Sequence, residues 1–195
     1  MLTVDEWKHH NKWEEDWWGD CSNTFEEQLK QEVYIHYMKL DQFAIPGHWF
    51  DMRGKSIIDI GGGPISILLR CKNFSKAVVV DPCPFPMWVT RRYNLHSITH
   101  IRKLAENYAP PIRFDEAWLY NCLQHVLDPE KVVNLAKNAK KVRVFEYCNI
   151  GVCEGHPHNL TKELLDKLFD RQGLTEWHDG LVHGVIYFGV FNYEV

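Results

Sequence analysis

The sequence lacks any apolar run approaching the roughly 20 residues that a membrane-spanning helix needs. Its first residues, MLTVDEWKHHNKWEEDWW, also contain no apolar core of the kind found in signal peptides. We therefore expect a protein that stays in the cytoplasm and has no membrane partner.

Strong positive charge is missing as well. The chain has 22 Lys and Arg against 26 Asp and Glu, which gives a formal net charge of -4. Basic residues come in small groups such as Arg91-Arg92 and Lys140-Lys141, and these are too short to form a basic stripe. We expect no nucleic-acid partner.

The six cysteines form no CxxC pair, and several lie inside predicted strands or helices. We expect them to be small buried hydrophobes in a reducing compartment. Repeats, low-complexity tracts and a Gly-, Pro- and Ser-rich linker are absent too. The sequence therefore predicts one domain over residues 1–195, with a helical, Trp-rich extension over 1–50 and a core over 51–195.

Strand and helix patterns alternate through the core. The strands are predicted at residues 56–60, 77–80, 98–103, 117–120 and 142–147, and helices at 65–71, 87–94, from Asp128 onward and at 161–172. A closing hairpin is predicted around Asp179-Gly180. Before the core, residues 1–20 are predicted as an irregular or short-helical arm, followed by an amphipathic helix from about Thr24. The pattern indicates an α/β fold with a doubly wound, mostly parallel sheet.

The stretch SIIDIGGGPISILLR, residues 56–70, predicts a glycine turn between a strand and a helix. Its Gly61-x-Gly63 lacks the third glycine of a dinucleotide fingerprint, since Ser66 stands at that position. Pro64 removes a backbone N–H that would hold a phosphate, and Asp59 adds negative charge. No Lys-Ser or Lys-Thr follows the glycines. These features argue against a diphosphate ligand.

A second acid, Asp81, ends the next predicted strand about 20 residues after the first glycine, where a carboxylate can accept both hydroxyls of a ribose. S-adenosylmethionine carries a sulfonium and an ammonium, has no phosphate and has two free ribose hydroxyls. The two acids therefore favour this cofactor. An NAD-linked enzyme and a turn without a ligand remain the alternatives.

Four stretches together resemble the class I S-adenosylmethionine-dependent methyltransferases, in their small-molecule branch. IIDIGGGP is similar to motif I, VVVDP to the ribose-binding strand end, DEAWLYNCLQHVLDPEKVV to the fourth-strand motif and HGVIYFGVF to the seventh strand. The resemblance covers roughly residues 54–192 and implies a Rossmann-like, seven-stranded sheet with an antiparallel last strand. Ile65 departs from the pattern, because a glycine often follows the proline of motif I.

The resemblance also implies which residues contact the cofactor. Glu106 matches the residue that meets the adenine amine, and Asn121 ends the fourth strand. The cofactor-binding residues predicted in this way are Asp59, Ile60, Gly61, Gly62, Gly63, Asp81, Pro82, Cys83, Glu106, Asn121 and Tyr34.

Methyl transfer from a sulfonium is an in-line displacement, in which an enzyme aligns the acceptor, excludes water and can remove a proton. Histidine is the natural base near neutral pH, so the candidates for catalysis are His125, His156 and His158. A packing role for His125 is the alternative. The candidates for substrate binding are Trp17, Trp18, Tyr120 and Glu146. His156-x-His158 beside Glu154 and Cys153 has no recognised metal-site spacing, and no metal is predicted.

These observations predict a methyltransferase that uses S-adenosylmethionine on a small molecule, or on a sugar or other metabolite group. A methyltransferase-like protein that binds the cofactor without transferring methyl, as a partner subunit or a sensor, is the runner-up. An NAD-linked enzyme is less favoured. The sequence contains no motif that names the methyl acceptor or the oligomeric state.

Overall fold

The computed structural model describes residues 2–193, which form five α-helices and ten β-strands. The helices are α1 (Val4–Trp18), α2 (Thr24–Tyr37), α3 (Met87–Leu95), α4 (Pro129–Lys137) and α5 (Lys162–Phe169). The strands are β1 (Ala44–Ile45), β2 (Trp49–Asp51), β3 (Ser56–Ile60), β4 (Cys71–Lys72), β5 (Lys76–Val80), β6 (Ile98–Ile101), β7 (Glu116–Tyr120), β8 (Lys141–Cys148), β9 (Leu174–Asp179) and β10 (His183–Asn192). No helix within residues 2–193 is both long and apolar enough to cross a bilayer.

Seven strands form the main sheet in the order β6-β5-β3-β7-β8-β10-β9. The pairings among β6, β5, β3, β7 and β8 are parallel, and β10 runs antiparallel to both of its neighbours. The predicted doubly wound, mostly parallel sheet is confirmed. A second, three-stranded sheet of β1, β2 and β4 is a feature that the sequence pattern did not predict.

The central strands are apolar because both faces of the sheet are covered, as is usual for parallel sheets. Every residue of β3 and β7 is buried. On one face, α2 packs Tyr34, Ile35 and Met38 into the core. On the other, α4 and α5 contribute apolar residues such as Val132 and Leu165. Helix α2 is therefore part of the same core as the sheet.

The N-terminal arm is a continuous helix of 15 residues, so the predicted irregular or short-helical arm is wrong. Its start is fixed by a capping box: the Thr3 side chain accepts from the Glu6 backbone N–H, and the Glu6 carboxylate accepts from the Thr3 backbone N–H at 2.8 Å. Residues 3–6, TVDE, have the Thr-x-x-Glu pattern that predicts a capping box.

The helix predicted at 65–71 is also wrong. Two short 3₁₀ turns occupy Gly63–Ile65 and Ile67–Arg70, separated by Ser66 in an extended conformation. The Ser66 hydroxyl accepts from the Leu68 backbone N–H and donates to Asp59, so the side chain competes with helical hydrogen bonds. The predicted helix at 161–172 ends early, at Phe169, because Asp170 adopts a left-handed conformation.

Candidate active site

A cavity of about 500 Å³ lies where β3, β5, β7 and β8 end, between the main sheet and helices α1 and α2. In open α/β sheets, ligands bind beyond the carboxyl ends of the strands, where the strand order reverses. Here that point lies at β3, which pairs with β5 on one side and β7 on the other. The cavity therefore occupies the position that the fold provides for a ligand.

The cavity wall contains most of the residues that the sequence predicts for the site. These are Ile60, Gly61, Gly62, Gly63, Asp81, Pro82, Cys83, Glu106, Tyr120, Asn121, Trp17, Trp18, His125 and His156. Four predicted residues are not part of the wall, namely Tyr34, Asp59, Glu146 and His158.

The glycine turn approaches the loop after β7 so closely that side chains would not fit. A Cβ atom on Gly61 would lie 2.6 Å from the Cys122 Cβ, and one on Gly62 would lie 2.6 Å from an oxygen of Asp59. Gly61 and Gly63 also have positive φ angles of 72° and 61°. The glycines thus leave bare backbone at the cavity wall, where a ligand can lie against it.

Asp81 joins the end of β5 to the glycine turn. Its Oδ2 accepts from the Gly63 backbone N–H at 3.0 Å, and its Oδ1 accepts from the Cys83 backbone N–H at 2.9 Å. Burial raises the pKa of Asp81 to about 6, and the two backbone donors oppose this shift. Each carboxylate oxygen still has a lone pair that can accept a hydroxyl from a ligand.

Asp59 lies behind the turn instead of in the cavity. It is fully buried and accepts hydrogen bonds from the Tyr120 hydroxyl at 2.6 Å and from the Ser66 hydroxyl. Burial raises the pKa of Asp59 to about 7. The sequence predicted a contact to the cofactor, whereas the structure gives Asp59 the task of holding the turn and β7 together.

Glu106 and Asn121 reach the cavity wall as predicted. The Glu106 Oε1 accepts from the backbone N–H of Asp128, the residue that caps α4, at 2.9 Å. Asn121 follows β7 with a φ of 50°, and its Oδ1 accepts from the Gln124 side chain at 2.9 Å. Tyr34 differs from them, because its ring is buried against Phe145 and its hydroxyl donates to Glu27.

Two of the predicted histidines come together at the cavity wall. The rings of His125, in the loop after β7, and His156, in the loop after β8, have centroids 4.7 Å apart. The Nδ1 of His125 lies 3.0 Å from the Glu14 carboxylate of α1 and 2.8 Å from the Gly155 carbonyl oxygen. Burial alone would lower the pKa of His125, but the Glu14 charge and these hydrogen bonds raise it overall. Burial, together with the nearby His125, lowers the pKa of His156 to about 4.

His158 and Glu146 are structural residues here. The Nε2 of His158 lies 2.7 Å from the Val126 carbonyl oxygen and ties together the loops after β7 and β8. Glu146 is fully buried and accepts from the backbone N–H groups of Cys122 and Leu123, each at 3.1 Å. Neither His158 nor Glu146 is among the residues that line the cavity.

Tryptophans of α1 form the outer wall of the cavity. Trp13 and Trp17 stack with ring centroids 5.6 Å apart, and Trp13 also packs against His156. Trp18 covers the glycine turn, since its ring lies 3.5 Å from where a Cβ on Gly63 would stand. The Trp13 and Trp17 rings therefore face the histidine side of the cavity, and Trp18 faces the glycine side.

Sequence reasoning missed Glu14, which lines the cavity. Within α1, Trp7, Asn11, Glu14 and Trp18 recur at spacings of four, three and four residues, and all four line the cavity. This is the spacing of one face of a helix. Reading residues 4–18 as a helix from its capping box would have placed these side chains on one surface.

No family model matches the chain, and no curated protein matches it. Solved structures do. The N-methyltransferase NodS from Bradyrhizobium japonicum, in complex with S-adenosylhomocysteine, is 11% identical, with a TM-score of 0.60 over 84% of this chain and 86% of that chain. A methyltransferase from Thermotoga maritima, described as a possible histamine N-methyltransferase, is 15% identical, with a TM-score of 0.56 over 91% and 98%.

Magnesium protoporphyrin IX methyltransferase from Synechocystis, with S-adenosylmethionine bound, is 10% identical and has a TM-score of 0.57 over 85% of this chain and 80% of that one. Identities this low establish a common fold and not a common substrate. The strand order, with β10 antiparallel between β8 and β9, agrees with these similarities. The chain therefore has the fold of the class I S-adenosylmethionine-dependent methyltransferases, as its motifs imply.

Proposed function

We propose that the protein is an S-adenosylmethionine-dependent methyltransferase acting on a small molecule, or on a sugar or other metabolite group. One observation carries the proposal. At the carboxyl edge of the sheet, a glycine turn without a phosphate-binding pattern is bonded to Asp81, and both line a cavity of about 500 Å³. A buried acid beside bare backbone suits a ligand with hydroxyls and positive charge, and it does not suit a diphosphate.

The residues on the glycine side fit this cofactor. Asp81 accepts the two ribose hydroxyls in this proposal, and Glu106 accepts the adenine amine through the oxygen that does not bond Asp128. The turn supplies backbone that the amino-acid part of the cofactor can approach. Ile60, Pro82 and Cys83 give apolar contacts along the same wall.

When bound, S-adenosylmethionine supplies a methyl group on a positively charged sulfur. We assign the acceptor to the histidine side of the cavity, beside the stacked Trp13 and Trp17 rings and the His125 and His156 imidazoles. The tryptophans exclude water and align a planar or apolar group by stacking. In this proposal His156 contacts the nucleophilic atom of the acceptor. His125 positions His156, because its own Nδ1 contacts Glu14 and Gly155 and its Nε2 contacts Gln124.

Calorimetric titration with S-adenosylhomocysteine tests the proposal without knowledge of the acceptor. We expect the wild-type chain to bind one equivalent, and Asp81→Asn to bind on the order of 10- to 100-fold more weakly, because hydrogen bonds to a charged group are lost. Asp51→Asn is the matched control, since Asp51 also accepts a backbone N–H, from Arg53 at 2.9 Å, but lies on another part of the surface.

Parallel titrations with NAD separate the alternatives. Binding of NAD without binding of S-adenosylhomocysteine contradicts the proposal and supports a nicotinamide-linked enzyme. If S-adenosylhomocysteine binds, a screen of small-molecule acceptors with radiolabelled S-adenosylmethionine follows, with Asp81→Asn as the negative control. Binding without transfer to any acceptor class supports the non-catalytic alternative.

A further inference from the structure

The cluster of Glu14, His125 and His156 has the composition of a metal site. One ligand atom from each residue lies within 4.8 Å of the others. The three residues come from α1, from the loop after β7 and from the loop after β8, so no spacing in the sequence announces the cluster. We propose that Glu14, His125 and His156 bind one divalent transition-metal ion, with Zn²⁺ as the best match.

The distances within the cluster allow its residues to share an ion. Zinc bonds to histidine nitrogen and carboxylate oxygen measure about 2.0–2.2 Å, which places two ligands of a tetrahedral ion about 3.4 Å apart. The Nδ1 of His125 and the Oε1 of Glu14 are 3.0 Å apart. The side chains are largely buried, with 18% and 15% of their surfaces exposed, so their orientation is held by packing.

Outer contacts orient both imidazoles, as they do around metal-ligating histidines. The Nδ1 of His156 lies 3.3 Å from the Cys153 Sγ, which leaves the Nε2 of this ring for the ion. The Nε2 of His125 faces the Gln124 amide at 3.1 Å. Gln124 is 2% exposed, and its Oε1 has no partner within residues 2–193. The Gln124 nitrogen also donates to the Asn121 Oδ1 at 2.9 Å, so turning both amides lets the Gln124 Oε1 accept from Asn121 and from an Nε2–H of His125. Nδ1 is then the ligand atom, and the ion replaces the proton that the Gly155 carbonyl oxygen accepts from it at 2.8 Å.

The donor set selects the type of metal. Two imidazoles and one carboxylate suit Zn²⁺ and its neighbours in the first transition row, whereas Mg²⁺ and Ca²⁺ prefer oxygen ligands. Three protein ligands leave at least one coordination position open, and all three residues line the cavity. The ion is therefore accessible to a small molecule in the cavity.

An accessible metal ion indicates which class of methyl acceptor the site would bind. This inference about the acceptor rests on the proposed function. An oxygen bound to Zn²⁺ is far more acidic than the same oxygen in water, so the ion favours loss of a hydroxyl proton to solvent. The acceptor we infer is an alcohol or phenol. Its oxygen would form a bond to the methyl carbon as the bond from that carbon to the sulfur of S-adenosylmethionine breaks, and S-adenosylhomocysteine would leave with the sulfur electron pair. Because Glu14 belongs to α1, binding of the ion also fastens the tryptophan wall to the loops after β7 and β8.

Metal binding is measured on the untagged full chain after treatment with a chelator. We expect calorimetry to show one equivalent of Zn²⁺ bound, and Co²⁺ to give a visible spectrum without a sulfur-to-cobalt charge-transfer band. Glu14→Gln and His156→Gln should each weaken binding by 10- to 100-fold or more. His36→Gln is the control, because His36 is an exposed histidine beside Asp41 on another surface and should leave binding unchanged.

Three results overturn the metal site: no stoichiometric binding by the wild-type chain, equal binding by Glu14→Gln and His156→Gln, or a thiolate band that locates the ion on cysteine. Urea unfolding of every variant shows whether it is folded. Titration with S-adenosylhomocysteine reports on the proposed function separately. Failure of cofactor binding with intact metal binding counts against the methyltransferase, and the reverse counts against the metal site.

Discussion

Asp59 and Asp81, at the ends of neighbouring strands, have different tasks because their surroundings differ. Asp59 is fully buried under the turn and accepts from Tyr120 and Ser66. Asp81 is 7% exposed at the cavity wall and accepts from the backbone N–H groups of Gly63 and Cys83. The first acid therefore supports the turn, and the second is available to a ligand.

Removing the Tyr120 hydroxyl tests whether Asp59 supports the glycine turn. It donates to Asp59 and accepts from the Ile67 backbone N–H at 3.2 Å, inside the core. We expect Tyr120→Phe to lower the free energy of unfolding by about 1–3 kcal/mol, because buried polar groups lose their partner. Urea unfolding measures the change. Tyr108→Phe, at a partly buried ring outside this network, should cost much less, and equal losses would contradict the assignment.

For individual residues, the local sequence pattern predicted the cofactor side of the site better than the acceptor side. The glycines and Asp81 follow adjacent strands, so their meeting is a consequence of the fold. Glu14 lies more than a hundred residues from His125, and acidic residues are common on exposed helices. Only the packing of α1 brings the two side chains together. The burial of Glu146 and Tyr34 likewise depends on contacts between distant elements.

Helix α1 is held against the core by close contact with the loop after β8. A Cβ atom on Gly155 would lie 2.5 Å from the Trp13 ring. We expect Gly155→Ala to push α1 outward, to lower the free energy of unfolding by about 1–3 kcal/mol and to speed proteolysis within residues 4–18. Urea unfolding and limited proteolysis measure the two effects.

Gly151→Ala separates this clash from backbone strain. Gly151 also has a positive φ, 76° against 82° at Gly155, but no atom lies within 4 Å of the position that its Cβ would take. Both variants pay the cost of placing alanine at a positive φ, but only Gly155→Ala adds a clash with the Trp13 ring. If both variants lower the free energy of unfolding equally and α1 is cleaved by protease at the same rate in both, α1 does not pack on Gly155 in solution.

A buried ion pair joins β7, β8 and the end of α2. The Arg143 Nε donates to the Glu116 Oε2 at 2.6 Å, and its Nη1 donates to the Met38 carbonyl oxygen at 2.6 Å. Burial alone would raise the pKa of Glu116, but Arg143, Lys55 and Trp118 lower it to about 2 from the model-compound value of 4.5. Between about pH 2 and pH 4.5, Glu116 therefore binds fewer protons in the folded state than in the unfolded state.

The lowered pKa of Glu116 determines the direction in which the stability of the fold changes with pH. The contribution of Glu116 to stability is present above about pH 4.5 and is lost as the pH falls toward 2. We expect Glu116→Gln to flatten this part of the stability curve and, at pH 7, to cost about 3–5 kcal/mol, because Arg143 is left buried without a counter-charge. Denaturant unfolding at several pH values measures both. An unchanged acid slope would refute the shift.

Among the elements, strands were predicted more accurately than helices. The five parallel strands are short apolar runs, and each appears within a few residues of its predicted place. The helix predicted at 65–71 fails because one side chain, Ser66, bonds Asp59 and Leu68 instead of permitting a helical turn. The composition of residues 1–20 does not indicate a continuous helix, whereas the capping box at Thr3 does.

The whole molecule encloses its cavity with parts from both ends of the described chain. Trp7 and Trp17 of α1 stand on one side, and Val182 and His183 at the start of β10 stand on another. Helix α2 shares one apolar core with the sheet. Because the wall is assembled from so many elements, ligand binding should stabilise the fold as a unit, by an amount that grows with ligand concentration.

A crystal structure with S-adenosylhomocysteine bound is the most direct test of the central claim, that this cavity is a methyl-transfer site. We expect the ribose hydroxyls on Asp81, the adenine near Glu106 and the sulfur facing the space on the side of the cavity that Trp13, His125 and His156 line. Density for the ligand elsewhere, or a sulfur directed away from that space, would contradict the account.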